Sequence, residues 1–177
     1  MNRDNRRGVP AGLALLLLQS AALATELAPP TVEFAPGYEA ALRATYGDRE
    51  APALRSEILD SVAAGLTSAH GSCQLNLDIV LERVAPTHPT MKQQLDDPAM
   101  DPIRSVFLNG GATLTGRMCG ADGRALATVK HERYADNRSS VSPGKDPWSD
   151  ARVAIWQFTS KLLDACKQQT ISAAASH

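Results

Sequence analysis

Leu54, Ile58, Val62 and Leu66 recur every four residues, with Ala51 and Leu59 widening the stripe. That is the spacing of one helix face, and it predicts an amphipathic helix from Pro52 to Ala69. Pro52 suits a first turn, where its missing N–H leaves no bond unmade, and His70-Gly71 supplies the stop. Between Cys73 and Arg83 the period falls to two. Cys73, Leu75, Leu77, Ile79 and Leu81 share one face, while Gln74, Asn76, Asp78 and Glu82 share the other, which predicts a strand with one wet side. Pro86 and Pro89 end it.

The next stretch, "PTHPTMKQQLDDPAMDP" from Pro86 to Pro102, has no sustained period and reads as a long surface loop tethered by Met91, Leu95 and Met100. From Ser105 to Met118 alternation returns. Leu108, Ala112, Leu114, Gly116 and Met118 fall on the apolar side, and Thr113, Thr115 and Arg117 on the polar one, so one long strand is predicted, with Gly110-Gly111 marking a bend or bulge. Asp122-Gly123 signals a two-residue hairpin turn. That turn sets Met118 opposite Ala127, Gly116 opposite Val129 and Leu114 opposite His131 on the apolar face, with Arg117 opposite Thr128 and Thr115 opposite Lys130 on the polar face. The small residue at Gly116, opposite Val129, implies close approach of a helix or of another side chain. Asp146-Pro147 opens a final helix whose buried stripe is Ala151, Ile155, Phe158, Leu162 and Cys166, ending near Gln168. Trp148 and Trp156 read as packing residues. A short first strand, "TVEF", lies at Thr31 to Phe34. The fold class that follows is α+β: two amphipathic helices packed on one face of a largely antiparallel sheet of three to four strands.

The first 24 residues stand outside this pattern. Arg3, Arg6 and Arg7 precede the apolar run from Ala11 to Leu18, and Ala22-Leu23-Ala24 makes a small-x-small cleavage site, so residues 1–24 read as a cleaved export signal. The run is too short for a spanning helix, which needs roughly 20 residues, and no later segment is a transmembrane candidate. Residues 25–170 then form a single α+β domain, and 171–177 a flexible tail. Cleavage moves the net charge from −1 to −3, because three Arg and one Asp leave with the signal. A mildly acidic chain with 5% aromatic residues lacks the basic footprint of a nucleic-acid binder.

Export to an oxidising compartment gives the three cysteines, Cys73, Cys119 and Cys166, one disulfide and one thiol to share. Antiparallel strands bring Cys73 and Cys119 to the same end of the sheet, although strand parity sets them on different faces. Cys73–Cys119 is the candidate pair, with Cys166 as a buried thiol.

Little else carries chemistry. "GATLTGRM" from Gly111 approaches a phosphate-binding loop, but Arg117 and Met118 replace the required Lys and Ser or Thr, and a hairpin follows where a helix should. His70 and Cys73 offer two metal ligands where zinc takes three or four. Asp96, Asp97 and Asp101 lack calcium-loop spacing. His88 reads as a solvated loop residue. His131 has no nucleophile near it in sequence, and Ser139-Ser140 lacks the setting of a nucleophile elbow. The residues assemble no catalytic set and call for no cofactor or metal ion.

"RSVFLNGGATLTGRM", "ADGRALATV" and "PWSDARVAIWQFTSKLL" together resemble small proteobacterial periplasmic and cell-envelope domains of unknown function, many of them lipoproteins. The resemblance spans roughly residues 50–168 and implies a periplasmic α+β domain serving envelope transport or assembly. This chain has no cysteine after its signal to take a lipid. The expectation is an exported, non-enzymatic envelope protein that binds a protein or envelope component. Its contact surface is expected at His88 and Met91 in the long loop and at Thr115, Arg117 and Lys130 on the polar sheet face. The alternative is a small-molecule or metal-binding module using the space between helices and sheet, with His131 or the His70/Cys73 pair.

Overall fold

The computed structural model describes residues 28–68, 75–101, 109–120, 123–135 and 146–174. Their order is β1 (Thr31–Phe34), α1 (Tyr38–Tyr46), α2 (Glu50–Ser68), β2 (Asn76–Ala85), α3 (Met91–Asp96), β3 (Gly111–Cys119), β4 (Ala125–Tyr134) and α4 (Ser149–Ala174). The strands form one sheet in the order β1-β2-β3-β4. Both β2–β3 and β3–β4 are antiparallel, and β1 runs parallel to β2. A parallel pair needs a crossover, which α1 and α2 supply. The α+β class is as expected, and the sheet is mixed through β1 alone.

The helical stripes read from the sequence face the core, with Leu59 and Leu66 only partly buried against it. Ala51, Leu54, Ile58 and Val62 of α2 and Ala151, Ile155, Phe158, Leu162 and Cys166 of α4 are all buried. They join Leu77, Ile79, Leu81, Leu114 and Met118 of the sheet in a single core. Leu114 and Met118 thus face inward together, while Arg117 points away. The tightest point is Gly116. A Cβ there would stand 2.8 Å from both Leu162 Cδ1 and Phe158 Cζ. So α4 rests directly on the backbone of β3, as the small residue implied.

The β3–β4 register is the predicted one at all five pairs from Leu114–His131 to Met118–Ala127. The turn differs. Gly123 sits at φ +77° and its N–H reaches the Gly120 carbonyl, while the register shifts between Met118 and Cys119. A left-handed glycine after a β-turn is the three-residue, bulged hairpin rather than the two-residue type. The bulge restores the pairing that the shorter turn would have set. A second irregularity lies in β2, where Leu81 pairs with Leu114 but Arg83 pairs with Thr113, leaving Glu82 as the extra residue. The bulge expected at Gly110-Gly111 is therefore on the neighbouring strand. At Gly111 the constraint is close approach, since a Cβ would collide with the Arg133 carbonyl oxygen. Of the long strand expected from Ser105, residues 102–108 lie outside the described residues, Asn109 is in a turn, and the strand begins only at Gly111.

Two helices were not legible as read above. Tyr38–Tyr46 forms α1, with Leu42 buried. Thr90 caps α3 by a capping box: its hydroxyl accepts from Gln93 N–H and the Gln93 side chain accepts from Thr90 N–H. At the other end, α4 continues to Ala174, past the expected stop near Gln168, because no glycine or proline interrupts it. The segment expected as a tail is helical through that point. Trp148 packs as expected, edge-on to Tyr46 with its indole N–H donated to Glu50 at 2.6 Å. Trp156 does not; it is 65% exposed.

The Cys73–Cys119 pairing is overturned. Cys119 is a free, buried thiol, its Sγ 3.9 Å from Asp78 Oδ2 on the side of the sheet away from α4. Cys166, expected to be free, is the disulfide-bonded cysteine. Strand parity decides this: Cys119 shares its face with Arg117, whereas Cys166 lies in the core between helix and sheet.

Two outcomes follow. Gly116→Val should lower unfolding stability by about 1–3 kcal/mol through overpacking, measured by urea denaturation, while Thr128→Val on the exposed face should stay within about 0.5 kcal/mol of the parent. Non-reducing peptide mapping should join Cys166 to Cys73, which lies outside the described residues, and leave Cys119 available to alkylation once the chain is unfolded.

Candidate functional site

Since α2 and α4 close one side of the sheet, the other side carries Asp78, Val80, Glu82, Thr115, Arg117, Thr128 and Lys130 on a half-buried to exposed surface. No helix among the described residues lies over it. A shallow groove of about 510 Å³ runs along it, lined by Thr31, Glu33, Asp78, Thr115, Arg117 and Thr128. Two of the three residues expected on this face, Thr115 and Arg117, line the groove, and Lys130 stands beside them.

Their charges are matched across strands. Arg117 donates to Asp78 at 2.9 Å, and Lys130 donates to Glu82 at 2.6 Å. The other oxygen of Glu82 accepts from the Thr115 hydroxyl at 2.6 Å. The Arg117 guanidinium holds the Asp78 carboxyl below its usual range, with Thr31 helping. The Lys130 ammonium does the same for Glu82, with Thr115 second. Arg117 and Lys130 are raised in return by the carboxylates they face. Such exposed pairs contribute little stability, but they fix a pattern of donors and acceptors on a flat, rigid surface.

In the second half of the expected surface, Met91 faces outward but His88 does not. His88, read as solvated, is 6% exposed, and Thr87 and Thr90 beside it are fully buried. Met91 and Leu95, read as apolar tethers, are 68% and 75% exposed. Polar groups do the anchoring. The Thr87 hydroxyl donates to the buried carboxylate of Asp150 at 2.9 Å, accepts from Asp150 N–H, and Thr87 N–H reaches the Pro147 carbonyl at 2.6 Å. Arg133 approaches the same carboxylate at 3.5 Å. Gly110 leaves the room, since a Cβ there would stand 2.5 Å from Thr87 Oγ1. The Gln94 side chain closes onto the Pro89 carbonyl, and Lys92 packs against Gly47. α3 is thus a short, well-fastened turn whose apolar side chains, four residues apart, face outward.

His131 is 6% exposed, and on the neighbouring strand Phe158 and Leu162 pack against Gly116. The His131 Nδ1 lies 3.0 Å from Lys161 Nζ. A charged ammonium only donates, so Nδ1 accepts and the imidazole is neutral. Burial depresses its pKa first, Lys161 second and Arg133 more weakly, with Gln157 opposing. Among the described residues no group of three or more His, Cys, Asp or Glu side chains converges as for a metal ion. Asp96 is taken by Lys92 at 2.6 Å, and Asp97 accepts from Ala99 N–H. His70, Cys73 and Ser139-Ser140 lie outside the described residues.

Because the folded pKa of His131 lies below its unfolded value, the unfolded chain binds more protons as acidity rises. The stability that neutral His131 contributes should be fully present above about pH 6.5 and fall as pH drops below it. Urea titrations between pH 5 and 8 should show this loss, and Lys161→Met should make it smaller by removing the second-largest cause of the shift. Compared with protein-family models, with curated proteins and with solved structures, the chain matches none.

Proposed function

We propose that the chain is an exported, non-enzymatic cell-envelope domain that works by binding a protein partner, with α3 as the anchor of the contact and the polar sheet face as its extension. The observation that carries the reading is the exposure of Met91 and Leu95 on a fastened helical turn. Burying either against the domain would gain about 1.5–3 kcal/mol, and the sequence instead commits buried hydrogen bonds to holding both in water. A rigid turn also loses little conformational freedom on binding, which is how few residues come to dominate an interface. The matched charges around Arg117 and Lys130 suit the rim of such a contact, where complementarity sets orientation more than affinity. The compartment rests on the signal-like residues 1–24 and on the resemblance to envelope domains.

The test is capture from periplasmic extract with the full chain as bait. Met91→Ser with Leu95→Ser should reduce the captured partner about tenfold or more and leave the circular dichroism spectrum unchanged, because both side chains are exposed. Undiminished capture by this double variant would overturn the role of α3.

A further inference from the structure

A second concavity lies where β2 outruns β1. The β1–β2 ladder ends at Phe34–Leu81, and Ala35 N–H closes on the Leu81 carbonyl. Beyond it the Tyr38 hydroxyl accepts from Val84 N–H at 2.7 Å and donates to the Val84 carbonyl at 3.0 Å. This fixes one wall of a groove of about 420 Å³ between α1 and the end of β2, with Leu42, Tyr46, Arg83 and Ala85 also lining it.

Arg83 is the unusual member. The bulge at Glu82 puts two successive residues, Glu82 and Arg83, toward the polar side. Glu82 is consumed by Lys130 and Thr115. Arg83 is exposed, and no carboxylate among the described residues lies within salt-bridge distance of it. Its guanidinium sits over the Tyr134 ring, 5.3 Å from the centroid, and Tyr134 is itself held through its hydroxyl to Thr113 at 3.0 Å. The positive charge of Arg83 reaches Tyr38, Tyr46 and Tyr134 alike, lowering each phenol against the burial that raises it. A planar donor fork is therefore held on an aromatic base at the mouth of a groove whose other walls are the Tyr38 and Tyr46 rings and aliphatic side chains, with Thr45 and Glu82 as its remaining polar members.

We propose that this groove binds a small organic acid: a single carboxylate, taken by Arg83, on a flat apolar body that lies against Tyr38 and Tyr46. A guanidinium presents paired donors that match a carboxylate edge to edge. Among the described residues Arg83 is the one cationic side chain lining the groove, and the Glu82 carboxylate, which also lines it, disfavours a dianion such as phosphate. The volume is in the range of small-ligand sites, roughly 300–1,000 Å³. The site is separate from Met91 and Leu95 and does not depend on the partner-binding reading.

Benzoate titrated into the full chain, followed by NMR of the Arg Nε–H and Tyr ring signals, tests it. Saturable shifts at Arg83, Tyr46 and Tyr134 are expected, with benzamide, the uncharged isostere, binding about tenfold more weakly or worse. Arg83→Gln should abolish the response, Arg83→Lys should keep a weakened one, and Met91→Ser with Leu95→Ser should leave it intact. No saturable shift, equal binding of benzamide, equal binding of inorganic phosphate, or a response surviving in Arg83→Gln would each overturn the proposal. A Gly-Gly-Phe peptide with a free C-terminal carboxylate binding more tightly than benzoate would overturn the free-acid form in favour of a peptide terminus.

Discussion

Phe158 and Leu162 lie against the backbone of β3 because Gly116 has no side chain to hold them off, and the rest of the molecule is arranged around that contact. It brings α4 close enough for Ala151, Ile155 and Cys166 to share the same dry layer with Leu114 and Met118. It also makes the sheet one-sided. Once one face is sealed at van der Waals distance, period-two alternation leaves every intervening side chain on the other face, and that is where Arg117, Lys130 and Thr115 stand.

The start of α4 carries the second constraint. Asp150 is a carboxylate in the first turn of a long helix, where the helix dipole favours negative charge, but it is wholly buried. A buried carboxylate needs partners. Thr87 and Arg133 provide them from two different segments, so the chain after β2, the strand β4 and the helix start are held at one point. The anchoring of α3 is a consequence of that node. Hydrogen bonds with directional demands fix this loop more exactly than a patch of apolar contact would.

Much of this was legible in residue order, and the exceptions have physical causes. The helix stripes and the β3–β4 register could be read because burial on one face imposes a period that a one-residue slip would reverse. Gly116 could be read as a contact because a small residue in a core column has few other uses. The capping box at Thr90 and Gln93 was present as a threonine three residues before a glutamine, a signal outweighed by the surrounding prolines and aspartates. The orientation of α3 was not readable. Met91 and Leu95 are apolar, and only the three-dimensional position of Thr87 against Asp150, 63 residues away, decides that the polar side turns inward. The cysteine pairing failed for a related reason: proximity at the end of a sheet was weighed above the face on which each thiol lies. The Arg83 groove depends on a bulge, and an extra residue in a strand leaves no mark in an otherwise regular alternation.

Tyr38 has a consequence beyond the groove it walls. A strand that continues past its neighbour shows unpaired N–H and C=O groups, which invite a strand from another molecule. At Val84 both groups are occupied by one phenol oxygen. A side chain from a helix thus stands in for a missing strand residue, and the overhang of β2 is closed to unwanted pairing at that point without lengthening β1. The sheet can keep a broad wet face while this stretch of its margin gives nothing for a second chain to align on.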